Sequence, residues 1–163
     1  MMDLVNYVLV NLGILDKPYN FLTQPFAAKI VIILALLWRW TGYNMVFFLS
    51  GLQNIEYSVY EAAKIDGASA IQTFFKITVP LLKPTILLTA IMSTNGTLQL
   101  FDESINLTDG GPANASISMS HYIYNLCFKY VPNFGYAAAM SFFILLLVAV
   151  LAFIQMRVGD KRD

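Results

Sequence analysis

The stretch YEAAKIDGASAIQTFFKITVPLLKP, residues 60–84, lies between two strongly apolar parts of the sequence and yet carries several charges. These are Glu61, Lys64, Asp66, Lys76 and Lys83. Alanine-rich segments on both sides of a glycine favour two helical pieces joined by a tight turn. Charge at this density is expensive inside a bilayer. The stretch therefore predicts a helix-turn-helix hairpin outside the membrane, between two membrane-spanning segments.

The composition of the whole chain is typical of a membrane protein. Of its 163 residues, 58% are hydrophobic and 12% are charged, whereas about a quarter of the residues of a soluble domain are charged. Ten basic and ten acidic residues give no formal net charge, so nucleic acid is not indicated as a partner. The single cysteine, Cys127, excludes an internal disulfide, and one histidine, His121, does not make a metal cluster. We interpret both as packing residues and expect neither a metal nor another cofactor.

Three segments are long and apolar enough to cross a bilayer, which takes about 20 residues: residues 26–50, 81–101 and 134–156. Arg39 lies near the middle of the first, where a cation is costly, so its side chain must face protein or water. We favour a structural role for Arg39 over contact with an anionic solute. The second half of residues 81–101 is too polar for lipid on all sides and should face other helices or a cavity.

The distribution of cations predicts the orientation of these three spans. Two connections, residues 51–80 and 102–133, must lie on opposite sides of the membrane. The positive-inside rule places the first connection and the C-terminal tail in the cytoplasm, because the cations on that side outnumber those on the other: Lys64, Lys76, Lys83, Arg157, Lys161 and Arg162 against Lys17, Lys29 and Lys129. Residues 1–25 are then an external amphipathic segment, and residues 102–133 an external loop with a turn at Gly110-Gly111-Pro112 and a helical stretch near 117–130.

Capping motifs predict the ends of the two hairpin helices. Ser58 and Glu61 have the spacing of a capping box, which would start the first helix near Val59. Gly67 can adopt the left-handed conformation that closes a helix.

A second capping box, formed by Ser69 and Gln72, would open the next helix, and Pro80 should end it. The small residues Ala62, Ala63, Ala68 and Ala70 keep the turn thin. Another protein could therefore approach the backbone closely at this point.

The hairpin resembles the EAA-loop signature of the permease subunits of binding-protein-dependent ABC importers, in the carbohydrate branch of the maltose and glycerol-phosphate permeases. The matching positions are Glu61, Ala62, Ala63, Asp66, Gly67, Ala68, Phe74, Ile77, Pro80 and Pro84, with Val79 in place of the usual leucine. The likeness continues through WRWTGYNMVFFLSGLQNI, LTDGGPANAS and FGYAAAMS and covers nearly the whole chain. One departure is Glu56, where the family usually has proline.

The resemblance implies an all-α membrane protein with three transmembrane helices. Residues 26–163 would form the C-terminal half of a permease domain that is complete only with further spans. The loop 56–80 would be the coupling helix that docks on an ATP-hydrolysing ABC subunit, through Glu61, Ala62, Ala63, Asp66, Gly67 and Ala68. This chain has no G-x-x-x-x-G-K-[ST] phosphate loop, so a partner must hydrolyse the ATP. The other implied partners are a second permease subunit and an extracytoplasmic solute-binding protein, which would dock at Gly110, Gly111 and Pro112.

Two helix faces are candidates for the solute pathway. Small, hydroxyl, aromatic and apolar residues recur at i, i+3, i+4 and i+7 in two spans: Trp38, Thr41, Gly42 and Met45, and Ser93, Gly96, Thr97 and Leu100. The resemblance implies that these two helices line the translocation pocket. Helix packing is the alternative, because Gly, Ser and Thr also mark interfaces between membrane helices. A sugar would suit the lining, since Trp38 can stack on a ring face while hydroxyls meet the polar rim.

The sequence therefore predicts a permease subunit for sugar uptake in the cell membrane of a prokaryote. Three alternatives stay open: a permease for a sugar phosphate or another small solute, a truncated fragment that binds the ATPase without transporting, and a membrane enzyme. An enzyme would have only Arg39, Asp102, Glu103 and His121 to work with, and no pair of them has catalytic spacing. We therefore expect no catalytic residues.

Overall fold

The computed structural model describes residues 2–159, and every regular element in that range is helical. Three π-helical segments (Phe74–Thr78, Ser104–Thr108 and Asn125–Lys129) and a short 3-10 turn, Phe21–Thr23, accompany the α-helices. The α-helices are α1 (Met2–Asn11), α2 (Pro25–Gln53), α3 (Tyr57–Ile65), α4 (Ala70–Thr73), α5 (Val79–Leu81), α6 (Lys83–Leu98), α7 (Met119–Tyr124) and α8 (Phe134–Gly159). The expected all-α membrane architecture is confirmed.

Helices α2 and α8 are long and apolar enough to cross a membrane. They include the predicted spans 26–50 and 134–156 and extend beyond them. With 29 and 26 residues, they are about 44 and 39 Å long at about 1.5 Å per residue. Both exceed the hydrocarbon thickness of about 30 Å, so their ends can project into the headgroup region. Arg157 lies in the last turn of α8, where the helix dipole favours a cation.

The third predicted span, 81–101, is a shorter helix than expected. Helix α6 has 16 residues, which gives only about 24 Å at about 1.5 Å per residue. It counts as a third span only together with the segment before it, Ala70–Leu81, whose axis differs from that of α6 by 64°. The bend falls at Leu82, just before Pro84, whose ring disfavours a straight continuation of the preceding helix.

The prediction that the second hairpin helix stops before Pro80 is wrong. The backbone stays helical through Pro80 because the segment before it is a π-helix. The N–H of Val79 bonds the carbonyl of Phe74, five residues back, whereas the N–H of Leu82 bonds the carbonyl of Thr78, four residues back. The spacing of the hydrogen bonds therefore shortens between Val79 and Leu82. The proline, which has no N–H to donate, sits at that change of register.

The chain divides into two compact units. One contains Leu100–Pro132 and the N-terminal residues up to Leu36, and the other contains Leu37–Gln99 and the residues from Asn133 onward. In the second unit, α6 packs along α8. Gln155 donates a hydrogen bond of 2.8 Å to the hydroxyl of Thr94 across this interface. The expectation that the polar half of the third span faces other helices is confirmed at Thr94.

Candidate coupling hairpin, pathway faces and outer turn

The first hairpin helix begins two residues earlier than predicted. Glu56 is its N-cap, with an extended backbone (φ −62°, ψ 134°), and its carbonyl accepts from the N–H of Val59. Ser58 therefore lies inside α3, and its hydroxyl donates to the Glu56 carboxylate at 3.3 Å. The predicted capping box of Ser58 and Glu61 is wrong, because a box needs the serine at the N-cap position.

The turn and the start of the second helix are as predicted. Gly67 has φ +77°, the left-handed conformation expected of it. Ser69 is the next N-cap: its Oγ accepts from the N–H of Gln72 at 3.3 Å, and its own N–H donates to Gln72 Oε1 at 2.9 Å. This reciprocal pair is the predicted capping box. The turn between the two helices therefore has a defined shape.

The hairpin is tied internally and presents its turn outward. The hydroxyls of Tyr60 and Thr78 are 3.2 Å apart, which links α3 to the π-helical segment. Ala63 is buried, while the other predicted coupling residues are exposed or half-buried. Two large apolar side chains flank the turn, Ile65 with 85% and Ile71 with 72% of its surface exposed. The turn therefore presents apolar as well as charged side chains at its surface.

The predicted pathway face of α2 is open. Trp38 is 84% and Met45 58% exposed, and Thr41 and Gly42 between them are also exposed. This face stays a candidate lining for a solute pathway.

The predicted pathway face of α6 is divided between two environments. The hydroxyl of Ser93 accepts from Asn44 Nδ2 at 3.0 Å and donates to Asn44 Oδ1 at 3.2 Å. Gly96 lies against the indole of Trp40. Ser93 and Gly96 therefore contact α2, whereas Thr97 is exposed and Leu100 follows the end of the helix; all four stay candidates for the pathway.

Sequence reasoning missed Trp40 and Asn44, two α2 residues that contact α6. They lie four residues apart and so share a helix face, which is a signal that the sequence contains. The neighbouring Arg39 has its guanidinium 5.7 Å from the centroid of the Trp40 ring. A cation over an indole face is a favourable contact in a desolvated setting. It fits the structural role preferred for Arg39.

The turn at Gly110, Gly111 and Pro112, which is predicted to lie outside the membrane and is called the outer turn below, is held by backbone hydrogen bonds. The N–H of Gly110 donates to the Ser104 carbonyl at 3.1 Å, and the carbonyl of Gly110 accepts from the N–H of Ser116 at 3.2 Å. The N–H of Gly111 donates to the Thr108 carbonyl at 2.9 Å. Gly110 is buried, and Gly111 and Pro112 are half-buried. The turn is therefore a shaped surface rather than a loose loop.

Residues 2–162 of the sequence match the family described as "Binding-protein-dependent transport system inner membrane component". This chain belongs to that family. The resemblance found on the hairpin is thereby confirmed. Transport permeases, rather than enzymes, make up the family.

Several sugar permeases are similar to this family member. The lactose transport system permease protein LacF of Rhizobium radiobacter is 54% identical over 97% of this chain and 54% of its own length. The arabinooligosaccharides transport system permease protein AraP of Bacillus subtilis is 33% identical over 98% of this chain and 50% of its own. The trehalose/maltose transport system permease protein MalF of Thermococcus litoralis is 36% identical over 98% of this chain and 52% of its own length. The chain thus spans about half the length of these relatives.

Two solved structures have the same fold. One is a bacterial ABC transporter involved in the import of the acidic polysaccharide alginate, with a TM-score of 0.82 and 25% identity over 98% of this chain and 55% of that chain. The other is a bacterial alginate ABC transporter in complex with an alginate pentasaccharide-bound periplasmic protein. Its TM-score is 0.70, with 27% identity over 96% of this chain and 52% of that chain.

The remaining ionisable residues of this permease-family chain form no metal centre in the part that the structure describes. Among residues 2–159, no three His, Cys, Asp or Glu side chains form a group that could hold a metal ion. Cys127 is a half-buried free thiol. His121 is fully buried in the outer loop, as a packing residue would be.

Proposed function

We propose that this chain is a transmembrane permease subunit of an ABC importer. It contributes part of a solute pathway for sugar uptake and is coupled, through residues 56–80, to a separate subunit that hydrolyses ATP. The hairpin carries this proposal: a turn of defined shape at Gly67, with exposed isoleucines on both sides and charged residues around them.

The hairpin is built to transmit a displacement. Tyr60 and Thr78 tie its two arms together, and the second arm runs through the helical segment Ala70–Leu81 to Leu82, where α6 begins. A push on the turn would therefore move α6 as well as the hairpin. Closure of the ATPase subunits would rock the attached helices around a site near the midplane, as alternating access requires.

A sugar is the solute class that the open α2 face suits best. Trp38 offers an exposed aromatic face, and Thr41 offers a hydroxyl one helical turn away. Relatives named for lactose, arabinooligosaccharides and trehalose or maltose support this solute class. The Arg39 guanidinium lies 5.7 Å from the centroid of the Trp40 ring, which fits the structural role that we prefer for Arg39.

The partners follow from the same assignment. A second permease subunit would complete the pathway, and an extracytoplasmic solute-binding protein would dock on the turn Gly110-Gly111-Pro112; the complex of an alginate transporter with its periplasmic protein supports such docking. The hairpin and the C-terminal end would face the cytoplasm of a prokaryote. Two cations on which this orientation rests, Lys161 and Arg162, lie outside the described residues.

Co-expression with an ABC ATPase and a second permease subunit tests the proposal. We expect the ATPase to co-purify with this chain and the reconstituted set to take up a labelled oligosaccharide when ATP and the binding protein are present. Co-purification without uptake would indicate a fragment that only binds the ATPase. Failure to recover the ATPase at all would contradict the proposal and return attention to a membrane enzyme.

A further inference from the structure

His121 lies at the centre of the outer loop, in a setting that fixes which of its nitrogens carries the proton. The hydroxyl of Ser104 lies 2.8 Å from the carbonyl of Ser116 and can donate its single hydrogen to it. A carbonyl can only accept, so we assign the Ser104 hydrogen to Ser116, and the Ser104 oxygen, 2.8 Å from Nδ1 of His121, then accepts a hydrogen bond from that nitrogen. A neutral His121 consequently has its hydrogen on Nδ1 and a bare lone pair on Nε2.

The bare nitrogen is buried beside a carboxylate. His121 has no exposed surface, and within the described residues its Nε2 has no hydrogen-bond partner. Oδ1 of Asp109 lies 3.6 Å from Nε2, which is too far for a hydrogen bond. Two lone pairs therefore face each other across a short gap. A buried nitrogen without a partner is costly, and a single proton placed on Nε2 would give it one.

The same carboxylate is already engaged by a cation. Lys129 Nζ lies 2.9 Å and 2.8 Å from the two oxygens of Asp109. Asp109 and Lys129 are the charged groups that act on His121, from the turn and from the segment after α7, respectively. Ser104 faces His121 from the third element, with the ring of Phe101 5.9 Å away. Asp109 is exposed, so it offers solvent protons a route to Nε2.

We propose that His121 is a proton-operated latch for the outer turn. A solvent proton taken up on Nε2 forms an N–H that donates to Asp109, and the carboxylate then divides its hydrogen bonds between His121 and Lys129. Asp109 has a left-handed backbone conformation (φ 47°) and is bonded directly to Gly110. A movement of its side chain toward His121 therefore displaces the turn Gly110-Gly111-Pro112. The latch is a property of the loop itself and does not depend on the proposed transport function.

The two charges act on the latch in opposite directions. Burial lowers the pKa of His121 below its usual value, the negative charge of Asp109 raises it in part, and the positive charge of Lys129 lowers it. In the unfolded chain the imidazole takes up its proton near pH 6.5. As the pH falls below that value, the unfolded state binds the proton first, so the loop loses stability until the pH reaches the lower pKa of the folded state.

Nuclear magnetic resonance of the full chain in lipid nanodiscs tests the latch directly. His121 is the single histidine of the sequence, so [15N]histidine labelling reports on it alone. We expect the Nδ1–H tautomer at pH 7.5 and a titration midpoint below about 6.5. Lys129→Gln should raise this midpoint and Asp109→Asn should lower it. The exposed residues Lys17 and Asp16 provide matched controls, and Lys17→Gln and Asp16→Asn should leave the midpoint unchanged.

A second label follows the turn itself. Combining [13C]carbonyl-aspartate with [15N]glycine selects the amides of glycines that follow an aspartate, which are Gly67 and Gly110. The Gly110 amide should shift with the midpoint of His121 and lose this response in His121→Gln, while Gly67 should not shift. An Nε2–H tautomer at pH 7.5 would overturn the proposal. The proposal would also be overturned if the Gly110 amide shift did not change with the protonation of His121. The same holds if neither Lys129→Gln nor Asp109→Asn changed the titration midpoint of His121.

Discussion

The indole ring of Trp40 occupies the space that a side chain at Gly96 would need. A Cβ built on Gly96 would overlap the six-membered part of the ring, including Cη2 at 2.6 Å. Four residues from Trp40, Asn44 exchanges two hydrogen bonds with Ser93. This steric contact and this polar contact between α2 and α6 lie about one helical turn apart on each helix, and Gly51 of α2 meets Thr85 of α6 farther along.

Substitution of Gly96 by alanine should destabilise the contact between α2 and α6. The added methyl group must push the Trp40 ring aside, and overpacking of this kind typically costs about 1–3 kcal/mol. We expect a lower midpoint of thermal unfolding in detergent micelles. Gly42→Ala is the matched control: Gly42 is also helical, and nothing lies within 4 Å of a Cβ placed there. If both variants unfolded at the same temperature as the parent chain, the close approach of Trp40 to Gly96 would be wrong.

The hydrogen-bonded pair of Asn44 and Ser93 should show a measurable coupling energy. Such pairs between membrane helices are worth about 0.6 kcal/mol on average and up to about 1.7. A double-mutant cycle with Asn44→Ala, Ser93→Ala and the double variant, followed by unfolding in micelles, isolates this term. Strictly additive effects would show that the two side chains do not interact.

Much of the hairpin could be predicted from sequence because its signals are local. A left-handed turn needs a residue such as Gly67, and the box of Ser69 and Gln72 needs only two side chains three residues apart. The family signature in the same stretch, together with the long apolar helices α2 and α8, then defined the class of protein. Neither inference required knowledge of the tertiary contacts between helices.

The parts that sequence reasoning missed depend on competition or on tertiary contact. Ser58 and Glu61 have the right spacing for a box, but Glu56 takes the N-cap position first. Pro80 predicts the end of a helix, yet the backbone stays helical there. The preceding segment is a π-helix, and the proline, which has no N–H, lies where the hydrogen-bond spacing changes. The contacts of Ser93 and Gly96 depend on their partners in α2, which spacing along one helix cannot reveal.

The two serines of the hairpin provide a test of this difference. Ser69→Ala removes an N-cap and should lower the local stability of the second arm by about 1 kcal/mol. Ser58→Ala removes only an exposed contact with Glu56 and should have little effect. Hydrogen exchange of the amides of residues 70–73 measures the difference. Equal protection in both variants would contradict the assigned caps.

Substitution of Gly67 by alanine should disturb the coupling turn through backbone strain alone. Nothing lies within 4 Å of a Cβ at this position, but φ is +77°, a conformation that costs other residues roughly 1–2 kcal/mol. We expect weaker recovery of the ATPase subunit in a pull-down, and a smaller loss for Gly67→Asn, because asparagine tolerates this conformation better. Gly13→Ala carries the same kind of strain (φ +71°) outside the hairpin. A similar loss of the ATPase in the Gly13 variant would mean that strain at the hairpin turn is not the cause.

Trp38 provides the test of the open face of α2. If this face lines the solute pathway, Trp38→Ala should reduce uptake by the reconstituted importer while leaving ATPase recovery and the unfolding midpoint unchanged, because the side chain is 84% exposed. Trp38→Phe should retain part of the activity, since it keeps an aromatic face for the sugar ring. Phe142 on α8 is 67% exposed and lies outside the predicted face, so Phe142→Ala controls for the loss of an exposed aromatic residue from a membrane helix. Uptake that fell equally in the Trp38 and Phe142 variants would indicate a general effect of contact with lipid or with a partner subunit, and full uptake in Trp38→Ala would remove this face of α2 from the pathway.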